Sequence, residues 1–418
     1  MHRLRRAGVC VLAGALALTS APPPAHAQPA GAGRLPIIRD AETEQLLRDY
    51  LSPILKVAGL TQQNIRVVIV NSRTFNAFVM DGRRIFVNAG ALLDAKTPNE
   101  IIGVLAHETG HIAGGHLSRL RRELANAQSM ALIGMLLAGG ALAAGAATRS
   151  GGATQAGAAA LSMQGEIVKR SLLSYQRSQE EAADRAAVRF LSQTGQSARG
   201  MHDTFRRFAD QTMFISGVDP YLQSHPMARE RVEALAQLAR SSPHWEKKDP
   251  PELQLRHDLT RAKLSGFLDR PDAIARRYPA SDTSLPARYA RAISAYRFGD
   301  LRSALAQMDA LAQAMPANAF IHELKGQALL ESGRAREAIA PLRKAAQMAP
   351  NAALIRVMLG QAMVATNDRA LLDEAIAILQ RALVREPEVS DGFRQLAMAF
   401  GRKGDNAQAD LASAQAAY

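Results

Sequence analysis

Ile101-Ile102-Gly103-Val104-Leu105-Ala106-His107-Glu108-Thr109-Gly110-His111-Ile112-Ala113-Gly114-Gly115-His116 is the stretch on which the reading of this chain turns. The apolar flank Ile101, Ile102, Val104 and Leu105 reads as a buried helix running on toward Leu120. Residues four apart share a helix face, so the imidazoles of His107 and His111 can reach one metal ion. Glu108 is offset by about 100° and meets a water beside the ion rather than the ion itself. A zinc ion held there would activate that water for attack on a polarised carbonyl, with Glu108 taking its proton.

A catalytic zinc wants a third protein ligand and an open position. The chain has a single cysteine, Cys10, so the third ligand is His, Glu or Asp. A third histidine nine or ten residues on does not serve: position 117 is Leu117, and on a continuous helix His116 turns off the ligand face. Downstream, Ser178-Gln179-Glu180-Glu181-Ala182-Ala183-Asp184 places Glu180 and Asp184 on one helix face. Glu180 can bind the metal while Asp184 hydrogen-bonds the distal nitrogen of a ligating histidine. Glu181 is the rival ligand, and the residues alone leave the choice open.

Working outward, Arg3, Arg5 and Arg6 precede an apolar run from Ala7 to Ala21, three prolines and Ala25-His26-Ala27, the pattern of a cleaved secretory signal over 1–27. Cleavage there removes Cys10, and a thiol-free exported chain fits a bacterial periplasm. Residues 28 to 40 read as a linker. The apolar positions Leu46, Leu47, Tyr50, Leu51, Ile54 and Leu55 predict a helix over Ala41 to Val57. Ile65 to Asn71 is a β-branched run, and Thr74 to Met80 with Arg84 to Asn88 flank Asp81-Gly82 as a hairpin. Helical patterns follow Ala89, which makes the first half α+β with one small sheet. Met130 to Ala147 carries no charge, yet its glycines and alanines make a weak membrane span, so the segment 130–160 is expected to be a mobile hydrophobic Gly/Ala-rich loop.

Prolines 243, 250 and 251 mark a boundary. Beyond it Gly299, Gly333 and Asn367 stand 34 residues apart and Gly404 follows 37 later; Pro316, Pro350 and Pro387 repeat the same spacings. Small residues Ala304, Ala338, Ala375 and Ala409 follow the turns. This is the tetratricopeptide period, in which a left-handed turn residue joins two helices, a small residue lets them approach, and proline ends the second. The three extra residues of the third unit are expected in its inter-helix turn, around Asp368 to Leu371, and residues 255 to 280 are expected to add one or two irregular helices.

The ordered set of His107-Glu108-Thr109-Gly110-His111, Glu180 with Asp184, and His225-Pro226 with Arg231 resembles the zinc peptidases related to the CAAX prenyl proteases and the HtpX and OMA-type membrane proteases. The signal peptide and repeats make it most similar to the periplasmic members of that family that enhance β-barrel assembly. The resemblance implies an α+β zinc metallopeptidase domain over 28–245 and an all-α tetratricopeptide-like domain over 250–418. It implies one Zn2+ per chain held by His107, His111 and Glu180, with Glu108 as general base and Asp184 behind a histidine. It makes Asn76, Ala77 and Phe78 the edge strand that holds an extended substrate. His225 would plug the open zinc position and keep the enzyme latent, or support the tetrahedral intermediate, with Arg231 as a charge clamp.

Two functions follow from that resemblance: a periplasmic endopeptidase degrading misassembled outer-membrane proteins, recruited through the repeats together with the β-barrel assembly machinery, or mainly a chaperone with a closed site. The charge of +13, from 51 Lys+Arg against 38 Asp+Glu, first suggests nucleic acid. Export and the absence of any matching motif argue against it, and only 5% aromatic residues leave little for base stacking. The basic excess fits peripheral contact with an anionic membrane instead.

Overall fold

The computed structural model describes residues 35–126, 128–129, 173–212, 225 and 229–417. The expected signal peptide and the loop at 130–160 lie outside the described residues.

Among the described residues, short β-branched and apolar runs build one mixed sheet from β1 (Ile37–Ile38), β2 (Arg66–Val70), β3 (Ala77–Val79) and β4 (Arg84–Asn88), in the order β1-β2-β4-β3. The expected hairpin is β3 with β4, antiparallel, with Phe78 opposite Phe86. Its turn is fixed by Asp81, whose Oδ1 accepts from the amides of Arg83 and Arg84 at 3.0 and 2.9 Å, and by Gly82 at φ 73°. β2 runs parallel to β4. The expected linker at 28–40 is corrected at its end, where Ile37–Ile38 pair with β2. Among the described residues β3 has β4 on one side only and forms an edge of the sheet.

The helix α1 (Ala41–Val57) has the bounds its apolar period predicts. Asp40 caps it by accepting from the Thr43 amide at 2.8 Å, and Leu46, Leu47, Tyr50, Leu51 and Ile54 face the core. Four helices follow among the described residues: α2 (Ala89–Asp94), α3 (Pro98–Ala113), α4 (residues 116–126) and α5 (residues 173–193). α6 (Arg199–Thr212) and α7 (Arg229–Arg240) complete this half. α3 is the central element, buried from Pro98 to Gly110. Its glycines set its distances to neighbours: a Cβ at Gly103 would fall 2.5 Å from Met201 Cβ on α6, and one at Gly110 would fall 2.8 Å from Ala183 O on α5. Asn99 ties the starts of α3 and α6, donating to Ser197 O and accepting from the Gly200 amide, both at 2.7 Å.

The continuous helix expected to reach Leu120 is corrected. α3 stops at Ala113, Gly115 takes φ 61°, and the chain turns before α4 begins at His116.

From Pro251 on the described chain is helical: α8 (Pro251–Leu268), α9 (Pro271–Arg277), α10 (Leu285–Phe298), α11 (Leu301–Ala314), α12 (Ala319–Glu331), α13 (Ala335–Met348), α14 (Ala353–Ala365), α15 (Leu372–Arg385), α16 (Ser390–Lys403) and α17 (Asn406–Ala417). α8 and α9 occupy the stretch where irregular helices were expected. Gly333, Asn367 and Gly404 are left-handed, at φ 77°, 57° and 92°. Gly299 is not; it sits at φ −118°, so that turn is made without the left-handed residue expected there. A short 3-10 turn, Arg369–Leu371, takes up the extra residues near Asp368. Gly326 and Gly360 let Leu342 and Leu379 in; a Cβ there would lie within 2.4 and 2.5 Å of the leucine Cγ atoms. Among the described residues no helix is long and apolar enough to cross a membrane.

Residues from Ile37 on form one compact unit. Where α1 meets the helical half, Lys263 of α8 is buried among carboxylates. Its Nζ lies 2.5 Å from Asp40, 3.3 Å from Glu42 and 3.4 Å from Glu323 of α12. Tyr289 of α10 donates to Glu42 at 2.9 Å. Two acids beyond the single cation make this an electrostatically loaded junction. Burial, offset in part by Lys263, pushes Glu323 up to about 7.

Candidate metal centre

α3 points both histidines of its motif toward α5, which Gly110 admits to close range. His107 Nε2 and His111 Nε2 are 3.0 Å apart, and Glu180 oxygens lie 3.4 Å from each. His225 joins from the chain before α7, its Nδ1 3.3 Å from His107 Nε2 and 3.0 Å from Glu180 Oε2. One ligand atom from each of the four residues falls within 4.8 Å of all the others. Two ligand atoms at about 2.0–2.1 Å from a tetrahedral zinc stand about 3.3 Å apart. The His, His and Glu separations match that requirement, so these residues fit one metal ion. Glu181, the rival to Glu180, points outward and lies 3.7 Å from Arg185.

Around this set sits a layer of charge. Asp184 Oδ1 lies 2.9 Å from His107 Nδ1, so His107 faces a carboxylate with one nitrogen and the cluster with the other. Arg231 is buried rather than on a helix surface, at 5% exposure, and donates to Asp184 from Nε at 2.6 Å and from Nη2 at 2.9 Å. The same guanidinium lies 2.8 Å from Glu180. It therefore holds the inward-facing carboxylates of α5, Glu180 and Asp184, in place.

These partners set the protonation of the site. Burial alone would depress His107, but hydrogen bonds and charge from Asp184 and Glu180 overcome it and raise the ring to about 9. Burial lowers His111 to about 3 and His116 to about 4. Burial would raise Glu180, yet His225 and its hydrogen bonds to His107 and His111 hold it well below the usual carboxylate range. For Glu108 burial wins and its carboxyl is raised, against the pull of His225 and His107. Glu108 Oε1 is buried without a hydrogen bond among the described residues and stands 3.4 Å from His225 Nε2.

The cluster opens on a cavity of about 390 Å³. Phe78 and Val79 of the edge strand β3 form one wall, and Ile112, His116 and Leu117 another. Ala77 pairs with Val87 at the start of the strand, and Asn76 stands just before it, its carbonyl accepting from the Asn88 amide at 2.9 Å. Thus His107, Glu108, His111, Glu180, Asp184, His225 and Arg231 come together, and the edge strand borders the same cavity. One residue at the site was set aside in the sequence: His116 lies with Nδ1 3.0 Å from His111 Nδ1. The signal that locates it is Gly114-Gly115, a helix-ending pair across which the helical period does not run.

Similarity to known proteins bears on the same region. The family model for peptidase family M48 matches residues 41–239. A putative β-barrel assembly-enhancing protease of Vibrio cholerae is 28% identical over 229 residues, 55% of this chain and 45% of that protein. The β-barrel assembly-enhancing protease of Escherichia coli (strain K12) is 24% identical over 200 residues, 48% of this chain and 39% of that protein. This chain thus spans less than half the length of those relatives. The metalloprotease YcaL of Escherichia coli (strain K12) is 30% identical over 196 residues, 44% of this chain and 68% of that protein. With a family match running from the first turn of α1 to the last of α7, and a metalloprotease matched over two thirds of its own length, the chain belongs to peptidase family M48.

Proposed function

We propose that this chain is a zinc-dependent endopeptidase of the periplasm that hydrolyses peptide bonds in misfolded or misassembled outer-membrane proteins. The observation that carries the reading is the convergence of His107, His111 and Glu180 at zinc-ligand spacing, with Glu108 buried beside them. Zinc is the metal of the family, and when bound it supplies the Lewis acid that activates water and polarises the scissile carbonyl. Glu108 takes the proton of the attacking water and passes it to the leaving amine; its raised proton affinity suits a group that must hold a proton briefly. Asp184 fixes the tautomer of His107, and Arg231 keeps Asp184 and Glu180 oriented. The side of β3 that carries no strand among the described residues holds an extended substrate by strand addition through Asn76, Ala77 and Phe78.

The domain organisation proposed with this function is a signal peptide over 1–27, a peptidase domain over 28–245 and a tetratricopeptide-like array over 250–418 that recruits substrate or the β-barrel assembly machinery. The paired 12- to 14-residue helices from α10 to α17 and the left-handed turns at Gly333, Asn367 and Gly404 support the array. The names of the Vibrio and Escherichia relatives support the connection with β-barrel assembly.

A second reading has its own observation. His225 occupies the place of a fourth ligand, which favours a latent site and a mainly chaperone-like protein until the histidine leaves. One experiment addresses both readings. Zinc content and casein hydrolysis are measured for wild type, His225→Ala, and each combined with Glu108→Gln. The endopeptidase reading expects about one zinc per chain throughout and hydrolysis lowered by about 10²–10⁴-fold by Glu108→Gln. Hydrolysis unchanged by Glu108→Gln overturns it. Latency expects His225→Ala to raise hydrolysis, and an unchanged or lower rate rejects that reading.

A further inference from the structure

We infer that His116 is a positioning residue for the metal centre: it accepts a hydrogen bond from His111 and so fixes the ring that presents Nε2 to the ion. The inference rests on the zinc site proposed above. His111 turns Nε2 into the cluster, 3.0 Å from His107 Nε2. A nitrogen that ligates must offer its lone pair, so the ring hydrogen of His111 sits on Nδ1 and needs an acceptor. Among the described residues the partner of that nitrogen is His116 Nδ1 at 3.0 Å. His116 accepts through that lone pair, which puts its own hydrogen on Nε2.

The local backbone is shaped to place this ring. α3 ends at Ala113, and Gly115 at φ 61° turns the chain so that His116 comes back over the end of the helix. The ring then lies directly on Gly114: a Cβ there would fall 2.1 Å from His116 Nε2. His116 is 6% exposed and meets His111 edge to face, with centroids 5.0 Å apart at 85°. The two metal-facing histidines are thereby oriented by different chemistry. His107 has the carboxylate of Asp184 behind it, and His111 has a neutral imidazole.

The test compares His116→Leu with His116→Asn. Asn Oδ1 stands as many bonds from Cα as His Nδ1 and can accept the hydrogen; leucine has a similar shape and cannot. Gly114→Ala is the third variant, because its methyl displaces the His116 ring without removing a polar group. Zinc dissociation constants are read by chelator competition, and unfolding of the metal-free proteins is followed in parallel. The expected result is zinc binding weakened about 10-fold or more in His116→Leu and Gly114→Ala, with His116→Asn within about 3-fold of wild type. Equal affinity in wild type and His116→Leu overturns the inference, as does equal weakening by Leu and Asn. A wild type that binds no zinc overturns instead the metal site on which the inference rests. Should His116→Leu lose its fold without metal, the comparison of wild type, His116→Asn and Gly114→Ala decides, and unchanged affinity in Gly114→Ala overturns the inference.

Discussion

Replacing Glu323 by glutamine should make the chain more stable than wild type by an amount that grows with pH. Glu323 shares one buried cation, Lys263, with Asp40 and Glu42, and Tyr289 also faces the cluster. Burial raises the Glu323 carboxyl from its ordinary 4.5 to about 7 in the folded chain. A group whose folded pKa is raised contributes its full stability below the unfolded pKa and loses it as pH climbs to the folded one. Between about pH 4.5 and 7 the folded state must give up a proton that the unfolded chain released earlier. At about 1.4 kcal/mol per pKa unit, the loss approaches about 3 kcal/mol above pH 7. Glutamine keeps the shape and cannot ionise, so Glu323→Gln escapes this loss. The assay is urea unfolding followed by far-ultraviolet circular dichroism from pH 4 to 8.5. The difference between variant and wild type should rise by about 3 kcal/mol across that range. A difference flat to within about 0.5 kcal/mol would show that Glu323 does not take up a proton in the folded chain and refute the reasoning.

Glu180→Ala should lose zinc while Glu181→Ala keeps it, measured as metal per chain after dialysis; zinc lost only from Glu181→Ala would reassign the ligand. Gly110→Ala should destabilise the fold by about 1–3 kcal/mol and weaken zinc binding, because a Cβ there meets the backbone of Ala183 and drives α5 from α3. Thermal unfolding with and without zinc checks both effects. Arg231→Met should cost about 3 kcal/mol by leaving Asp184 and Glu180 buried with only the His107 imidazolium between them, read by chemical denaturation of the metal-free protein near pH 7.

Local signals in the sequence carried far in the first half of the chain. Leu46 to Ile54 repeat at helical spacing along one buried face, which is why α1 begins and ends where the period does. Asp81-Gly82 supplies the turn chemistry that β3 and β4 need. β1 left no such trace, since two isoleucines after a Gly- and Pro-rich stretch become a strand only by pairing with β2. The parallel pairing of β2 and β4 is likewise a product of tertiary contact.

At the site, the i and i+4 spacing of His107 and His111 was legible because it needs only one helix. The choice between Glu180 and Glu181 needed two, since adjacent residues differ by about 100° and only packing on α3 selects the face. His116 was missed because a helical period was carried across Gly114-Gly115, where the helix had already ended. Gly299 shows the reverse case, a turn glycine whose left-handed freedom the fold does not use.

The buried junction at Lys263 also sets an order of events. Asp40 and Glu42 begin α1 and are made early, while Tyr289, which donates to Glu42, comes 247 residues later and Glu323 later still. Until those partners exist nothing covers Asp40 and Glu42, and their carboxylates stay in water; they are buried only when Lys263 arrives with the segments that cover them. The contacts of the first turn of α1 therefore close late, with a long sequence separation to bridge. The first turn of α1 acquires its last partners only once α10 and α12 have been made, so the N-terminal half of an unfinished chain lacks the contacts that close this corner of the fold.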